Sequence, residues 1–488
     1  MSVHNVRYLP RQLLGQTPVF IERLQREKPI ILFKKQFLWG FCPMRKCNSI
    51  SLEKHPNKSI MKKLLALFLL FVFLTSHSQT KSIQNTPPLS PAEPEKMGMS
   101  PERLARIDRM LMEAIEEDQI PGAIALIARN GHIVYHKAFG MADVKEGEKL
   151  EKDDIFRIAS QSKAITSTAV MMLWEEGKFQ LDDPISKYIP EFKNPQVLKS
   201  FSYSDTSYTT VAAEREITIR DLLTHTSGIG YGIIDADERF KMIYQKAGII
   251  DLYTTKDISI EENIKKLAKL PLHHNPGEKY TYSEGLDVLG YFVEIMSGMK
   301  FNNFLRERLF NPLGMDDTWF YLPEAKEDRL VTVQKWEDGN WIHYSNPHYD
   351  VNYPVKGARK FYSGGAGLIS TAGDYAKFLQ MYLNGGEYNG VRILSRTTIR
   401  TIMANQIGDL WLGDSHYGLA FGVLNEKGVA RGGMGSEGTF SWGGYFNTQY
   451  FADPEEELIG ILMKQTRDTR NDQTGWKFRL LVGQAVDD

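Results

Sequence analysis

Strand-like sequence stands at both ends of the globular part of this chain, with helix-like sequence between, and that order restricts the fold more than any other feature. Near the start, "SPERLARIDRMLMEAIEED" places Leu104, Ile107, Leu111 and Ile115 at helical spacing behind a Ser100-Pro101 start. "GAIALIARNGHIVYHKAFG" then sets two apolar runs on either side of Asn130-Gly131, a strong hairpin signal. Near the end, "GTFSWGGYFNTQYFADP" and "ELIGILMKQT" are again strand-like, and "WKFRLLVGQAV" reads as a last helix. Between them lie helical patches such as "ITIRDLLTHTSGI" and "LDVLGYFVEIMSG", separated by loops rich in Tyr, Ser, Pro and Asn. One sheet assembled from both termini, with helices against it and a helical insertion over about 180–360, satisfies this order. The expected class is therefore α/β, an α+β sandwich.

A second feature decides which residues belong to that fold. "MKKLLALFLLFVFLTSHSQT" begins at Met61 with two lysines, runs through apolar Leu64 to Leu74 and ends in small polar residues. This is the layout of a secretory signal peptide, and the apolar run is short for a permanent bilayer anchor. Cleavage after Ser78 is expected, with no stable membrane anchor afterwards and a periplasmic or secreted location. Residues 1–60 then read as a non-native upstream extension, 61–78 as the signal, 79–96 as a proline-rich flexible linker and 97–485 as one catalytic domain.

Both cysteines, Cys42 and Cys47, fall in the removed part, so thiol chemistry is excluded from the mature chain. The first 78 residues hold 13 of the 59 Lys/Arg and 3 of the 60 Asp/Glu. The remainder has 46 basic and 57 acidic residues, a net charge of −11 that argues against nucleic acid as a partner.

The candidate chemistry begins at "FRIASQSKAITSTAVMMLWEEGK", where Ser160 precedes Lys163 by three residues. Ser-x-x-Lys also occurs at Ser51/Lys54, Ser59/Lys62, Ser78/Lys81 and Ser297/Lys300, so the pattern alone fits a capping serine beside a solvated lysine equally well. Only the Ser160 copy follows an extended run and opens a helix whose Ile165, Ala169, Met172 and Leu173 form an apolar stripe closed by Gly177. There the serine lies at the positive end of the helix and the lysine rises on the same face, within reach of its oxygen. Two further segments bear on it. "YTYSEGLDVLG" puts Tyr282 at the start of a helix, a base if a neighbouring ammonium stabilises its phenolate, or a packed loop aromatic. "TFSWGGYFNTQYF" interrupts a strand at Gly443-Gly444, where a ligand could approach the backbone, or where an edge bulge sits.

Taken together, "SQSK", "YSE" and "WGG", in that order, resemble the three elements of the serine β-lactamase, DD-peptidase and family VIII esterase superfamily, in its class C-like branch. "LLTHTSGI", "SGGAGLIST", "YGLAFGV" and Asp453-Pro454 look like the same branch. The resemblance implies a β-lactamase/transpeptidase-like fold, with an antiparallel sheet flanked by helices and a mostly helical subdomain. It implies Ser160 as the acylated nucleophile, with Lys163 and Tyr282 sharing the proton and the lysine charge lowering the tyrosine pKa. The backbone N–H groups of Ser160 and Tyr445 would form the oxyanion hole, and Glu284, Trp442, Gly443 and Gly444 would meet the substrate. No metal or organic cofactor is implied, and His225 in "THTSG" is expected to be structural rather than a triad base.

Two departures bear on specificity. Glu284 stands where the family usually has Asn, and Trp442 stands where it usually has Lys. The first loses an amide donor and the second a cation that would hold a substrate carboxylate. The expected function is therefore an exported serine hydrolase acting on a small-molecule ester, amide or peptide, of carboxylesterase type. The alternatives are a β-lactamase or D-amino-acid peptidase of the same mechanism, or a non-catalytic penicillin-recognition or cell-wall-binding domain.

Overall fold

The computed structural model describes residues 80–411, 413–432 and 434–488. The expected upstream extension, the signal segment and both cysteines lie outside the described residues. Among the described residues, no helix is long and apolar enough to cross a membrane.

The main sheet has nine strands: β1 (Ser90–Pro91), β2 (Gly122–Arg129), β3 (His132–Asp143), β4 (Glu148–Lys149), β5 (Ser415–Tyr417), β6 (Gly422–Leu424), β7 (Phe440–Gly443), β8 (Gln449–Asp453) and β9 (Leu458–Met463). Their spatial order is β1-β3-β2-β9-β8-β7-β6-β5, with β4 beside β3. The expected joining of the two ends of the chain is the β2–β9 ladder, in which Ile124 faces Met463 and Arg129 faces Leu458. Asn130 and Gly131 close the β2–β3 hairpin, both with positive φ, as a two-residue turn requires. All ladders are antiparallel except β1–β3, so the sheet is mixed rather than purely antiparallel.

That exception corrects a second expectation. Residues 80–96 are fastened to the body rather than forming a flexible linker. Ser90 and Pro91 pair with His132 and Ile133, the Leu89 N–H donates to the Tyr388 hydroxyl at 3.0 Å, and Thr86 bonds to buried Glu387. Proline suits this place because an edge strand leaves one row of N–H positions unused.

Both faces of β2 are buried, and the period of two along it divides the core. Ala123, Ala125 and Ile127 pack with Leu104, Ile107 and Leu111 of α1 (Pro101–Glu116) and with Phe478 and Val482 of a C-terminal helix, Thr474–Gln484. Ser100 caps α1 by accepting the Arg103 N–H. Ile107 and Leu111 are fully buried, each contributing about 1.5–3 kcal/mol relative to exposure. On the other face, Ile124, Leu126 and Ala128 join the larger core with α2 (Ser162–Glu175), α3 (Gly285–Ser297) and α4 (Ala372–Leu383).

The sequence suggests an apolar stripe on α2, but the helix is buried on every side through its first twelve residues. Its polar face is satisfied internally instead. Thr166 donates to the Gly364 carbonyl at 2.7 Å, Ser162 accepts from the Leu368 N–H, and Thr168 pairs with the Tyr382 hydroxyl. A helix between a sheet and a helical layer has no solvent side to leave polar.

Candidate active site

Of residues 154–173, Ser160 alone escapes full burial. It stands in a single 3-10 turn, Ala159–Gln161, immediately before α2. The run leading to it is held on several sides: Phe156–Arg157 pairs with Ile369–Ser370, and the Ile158 N–H donates to Leu368. The buried Arg157 guanidinium donates to the carbonyls of Val351 (2.6 Å) and Val331 (2.8 Å). Ala159 is thereby kept at φ +43°, a left-handed conformation that costs a non-glycine residue about 1–3 kcal/mol and persists only where the surroundings enforce it.

Lys163, only 2% exposed, places Nζ 3.3 Å from Ser160 Oγ and 2.7 Å from the Gly365 carbonyl, to which it donates. Nζ also lies 4.7 Å from the centre of the Tyr282 ring and 5.5 Å from that of Tyr231. Ser160, Lys163 and Tyr282, singled out along the sequence, are therefore brought together around one ammonium group.

Tyr282 is half-exposed in the turn entering α3, and His225 supports it from behind. His225 Nδ1 accepts the Ser283 N–H at 3.1 Å, and the two rings lie 4.7 Å apart. Burial, with the Lys163 charge nearby, pushes the imidazole far below its ordinary pKa and keeps it neutral. A neutral, fully buried histidine that orients the tyrosine turn is the structural role expected for it.

Glu284 departs from expectation. Its N–H donates to the Gly230 carbonyl, which draws the residue inward, and the side chain is completely buried with neither oxygen hydrogen-bonded among the described residues. Burial, with Asp251 and Asp287 nearby, pushes its pKa well above the usual carboxylate range. Its carboxyl lies buried beneath the site, where burial disfavours the charged form.

Asp287, in the first turn of α3, was not anticipated from the sequence. Its Oδ1 accepts the Gly365 N–H at 3.4 Å, its Oδ2 has no partner among the described residues, and burial raises its pKa to about 6 despite the Lys163 charge. Gly365 thus stands between the lysine and this acid, and a Cβ on it would lie 2.4 Å from Asp287 Oδ2. The double glycine of "SGGAGLIST" was the available signal, because only a bare backbone admits that approach.

The raised pKa has a stability consequence. Between pH 3.8 and about 6 the folded state holds more protons than the unfolded one, so stability falls as pH rises through this window. Above it, the ionised group costs on the order of 3 kcal/mol. Asp287→Asn is expected to melt higher than wild type at pH 8 and to show no such gain at pH 4. Equal melting temperatures at pH 8 would mean that Lys163 offsets the burial completely.

Strand β7 runs against the Ser160 turn. Gly443 is exposed on it, whereas Gly444, next along the chain, lies against neighbouring backbone. Its N–H donates to Thr448, and a Cβ there would lie 2.2 Å from Thr448 Oγ1 and 2.5 Å from the Ile158 carbonyl oxygen. Gly444 admits the backbone of the nucleophile segment at close approach. Tyr445 follows directly, with its carbonyl held by Arg467 at 3.1 Å and its ring beneath that guanidinium. Trp442 is half-buried, its ring 6.0 Å from that of Tyr282.

A cavity of about 590 Å³ opens against Tyr282, with Tyr231, Tyr280, Asp235, Asp237 and His273 in its wall. Asp235 is already occupied, accepting from the Tyr231 N–H, the Asp237 N–H and His273. The wall contains carboxylates and neither lysine nor arginine, so it offers a substrate carboxylate no fixed cation of that kind.

The Beta-lactamase family profile matches residues 107–484. Esterase EstB of Burkholderia gladioli is 31% identical over 374 residues, covering 74% of this chain and 90% of EstB. A protein of Escherichia coli (strain K12), named only provisionally as a D-alanyl-D-alanine carboxypeptidase, is 28% identical over 417 residues, 81% of this chain and 89% of that one. Among solved structures, EstCE1, described as a hydrolase with promiscuous acyltransferase activity, superimposes with a TM-score of 0.68 at 25% identity, over 79% of this chain and 98% of its own. The fold agrees with these matches, and the chain belongs to the Beta-lactamase family of serine hydrolases.

Proposed function

We propose that the chain is an exported carboxylesterase that forms an acyl-enzyme on Ser160. The observation that carries this reading is the Lys163 ammonium, buried between Ser160 Oγ and the Tyr282 ring. Tyr282, acting as a phenolate beside the Lys163 ammonium, takes the Ser160 proton as Oγ adds to the ester carbonyl, and the oxyanion is held by the N–H groups of Ser160 and Tyr445. Collapse breaks the bond to the alcohol oxygen, which leaves with a proton delivered from Tyr282. Water then adds to the acyl carbonyl, losing its proton to the Tyr282 phenolate, and collapse breaks the bond to Ser160 Oγ, which takes that proton back as the acid is released.

Preference for uncharged esters rests on Trp442 in place of a lysine, on the burial of Glu284, and on a cavity wall without lysine or arginine. The likeness to a named carboxypeptidase favours a peptidase as the second reading, with the same nucleophile. Side-by-side rates on p-nitrophenyl butyrate and nitrocefin test the preference. We expect rapid ester turnover and little cephalosporin hydrolysis, and efficient nitrocefin turnover overturns it. Fluorophosphonate labelling of the wild type that disappears in Ser160→Ala supports the nucleophile, whereas an unlabelled wild type points to a non-catalytic binding domain. Protein recovered from periplasm or medium should begin at Gln79, and peptides from residues 1–60 in it would contradict export through the Met61 signal.

A further inference from the structure

Among the described residues Tyr282 has three aromatic neighbours, and Trp442 is the most exposed of them. His225 and Tyr231 are buried at 0% and 1% exposure, whereas Trp442 is part-exposed. From Trp442 the aromatic surface continues outward. The Trp411 ring lies 5.9 Å from it, and Tyr280 lies 4.8 Å from Trp411. Behind them Tyr417 is fully buried and stacks on Trp411 at 5.3 Å with 14° between the planes. Trp411, Trp442 and Tyr280 each keep part of their surface open on this backing, and Leu410 beside them is exposed. Among the described residues, no lysine or arginine stacks on any of these four rings.

We propose that Trp411, Trp442 and Tyr280 form a shelf that binds the alcohol portion of the ester, and that it selects a flat, uncharged ring. The proposal rests on the esterase reading above. Tyr282 hands its proton to the departing alcohol oxygen, so the carbon attached to that oxygen passes beside the Tyr282 hydroxyl. The accessible ring next to Tyr282 is Trp442, and the shelf extends from there. Rings pack on rings in offset or edge-on arrangements that a linear alkyl chain cannot reproduce. Three rings contributed by separate segments, and braced by a buried fourth, present such surfaces with little ordering cost on binding.

Acetate esters that differ only in the alcohol test this. For the wild type, kcat/KM is expected to rise from ethyl to cyclohexylmethyl to 2-naphthylmethyl acetate. In Trp411→Ala the naphthylmethyl-to-ethyl ratio of kcat/KM should fall about ten-fold, carried mainly by KM. Ethyl 2-naphthylacetate, with its ring on the acyl side, should not show that loss. An unaltered ratio in Trp411→Ala, or a loss that follows the acyl ring instead, overturns the proposal. Trp411→Leu, which keeps apolar bulk, is the second variant should alanine impair folding.

Binding of 2-naphthylmethanol, read by quenching of tryptophan fluorescence in Ser160→Ala, separates the two claims. Saturable binding that weakens about ten-fold on adding Trp411→Ala supports the shelf even if no ester is turned over, and then the esterase reading alone fails. Ester turnover without such binding sinks the shelf and leaves the esterase standing.

Discussion

Tyr282→Phe and Lys163→Ala are each expected to lower kcat on a short ester by about 10²–10⁴-fold, the range for removing a group that moves a proton in the transition state. The phenylalanine variant is the cleaner of the two. It keeps the ring that packs against His225, Tyr231 and Trp442 and removes only the hydroxyl, so the turn entering α3 has no reason to move. Lys163→Ala removes more, because Nζ also donates to the Gly365 carbonyl and its loss leaves that buried acceptor unpaired. A drop in melting temperature should therefore accompany the alanine change but not the phenylalanine change. Steady-state kinetics on p-nitrophenyl butyrate with thermal melts of all three proteins measures both effects. Near-normal kcat in Tyr282→Phe would mean that another group carries the proton, and His225, buried behind the tyrosine, is not placed to be that group.

How much of this could be read from the residues follows from the distance over which each feature is determined. The Ser100 cap, the Asn130-Gly131 hairpin and the turn-to-helix setting of Ser160 are local, decided within four or five residues, and the sequence shows each of them. Lys163 is legible as a partner of Ser160 for the same reason. Its other partner, the Gly365 carbonyl, lies 202 residues away, and nothing in the spacing of either segment points to the other. Glu284 illustrates the limit from the opposite side. Its position in the tyrosine motif suggests a substrate contact, but whether a side chain at a helix entrance turns outward or inward depends on what its backbone bonds to, here the Gly230 carbonyl. The lead-in fails as a linker because composition reports only what a segment cannot do alone, and residues 80–96 borrow their order from β3 and from the 387–390 turn. The amphipathic reading of α2 fails because the helical layer that covers its second face comes from distant sequence.

Gly444 is where the reason matters most, because the two explanations for that glycine predict different experiments. If it were bare to admit a ligand, an added methyl would obstruct substrate and appear in KM. The structure puts the Cβ position 2.5 Å from the Ile158 carbonyl oxygen, two residues before Ser160, and 2.2 Å from Thr448 Oγ1. The hydroxyl can rotate aside, but the carbonyl belongs to a backbone already fixed by the Leu368 bond and the Arg157 anchors, so β7 must retreat instead. The N–H that follows Gly444, just beyond β7, is that of Tyr445, the proposed second oxyanion donor, and it would retreat too. Gly444→Ala is therefore expected to lower kcat by about 10²–10³-fold, the loss typical of one oxyanion-hole donor, with KM changing far less. Gly443→Ala provides the comparison: its Cβ would meet only the Thr448 carbonyl, at 3.4 Å, and the residue is exposed, so its effect should be much smaller and should fall on KM. Measured kcat and KM for the two alanine variants decide the matter. Similar, KM-dominated losses in both would show that the glycine pair serves the substrate after all, and that the tight contact with Ile158 can relax without disturbing the donor.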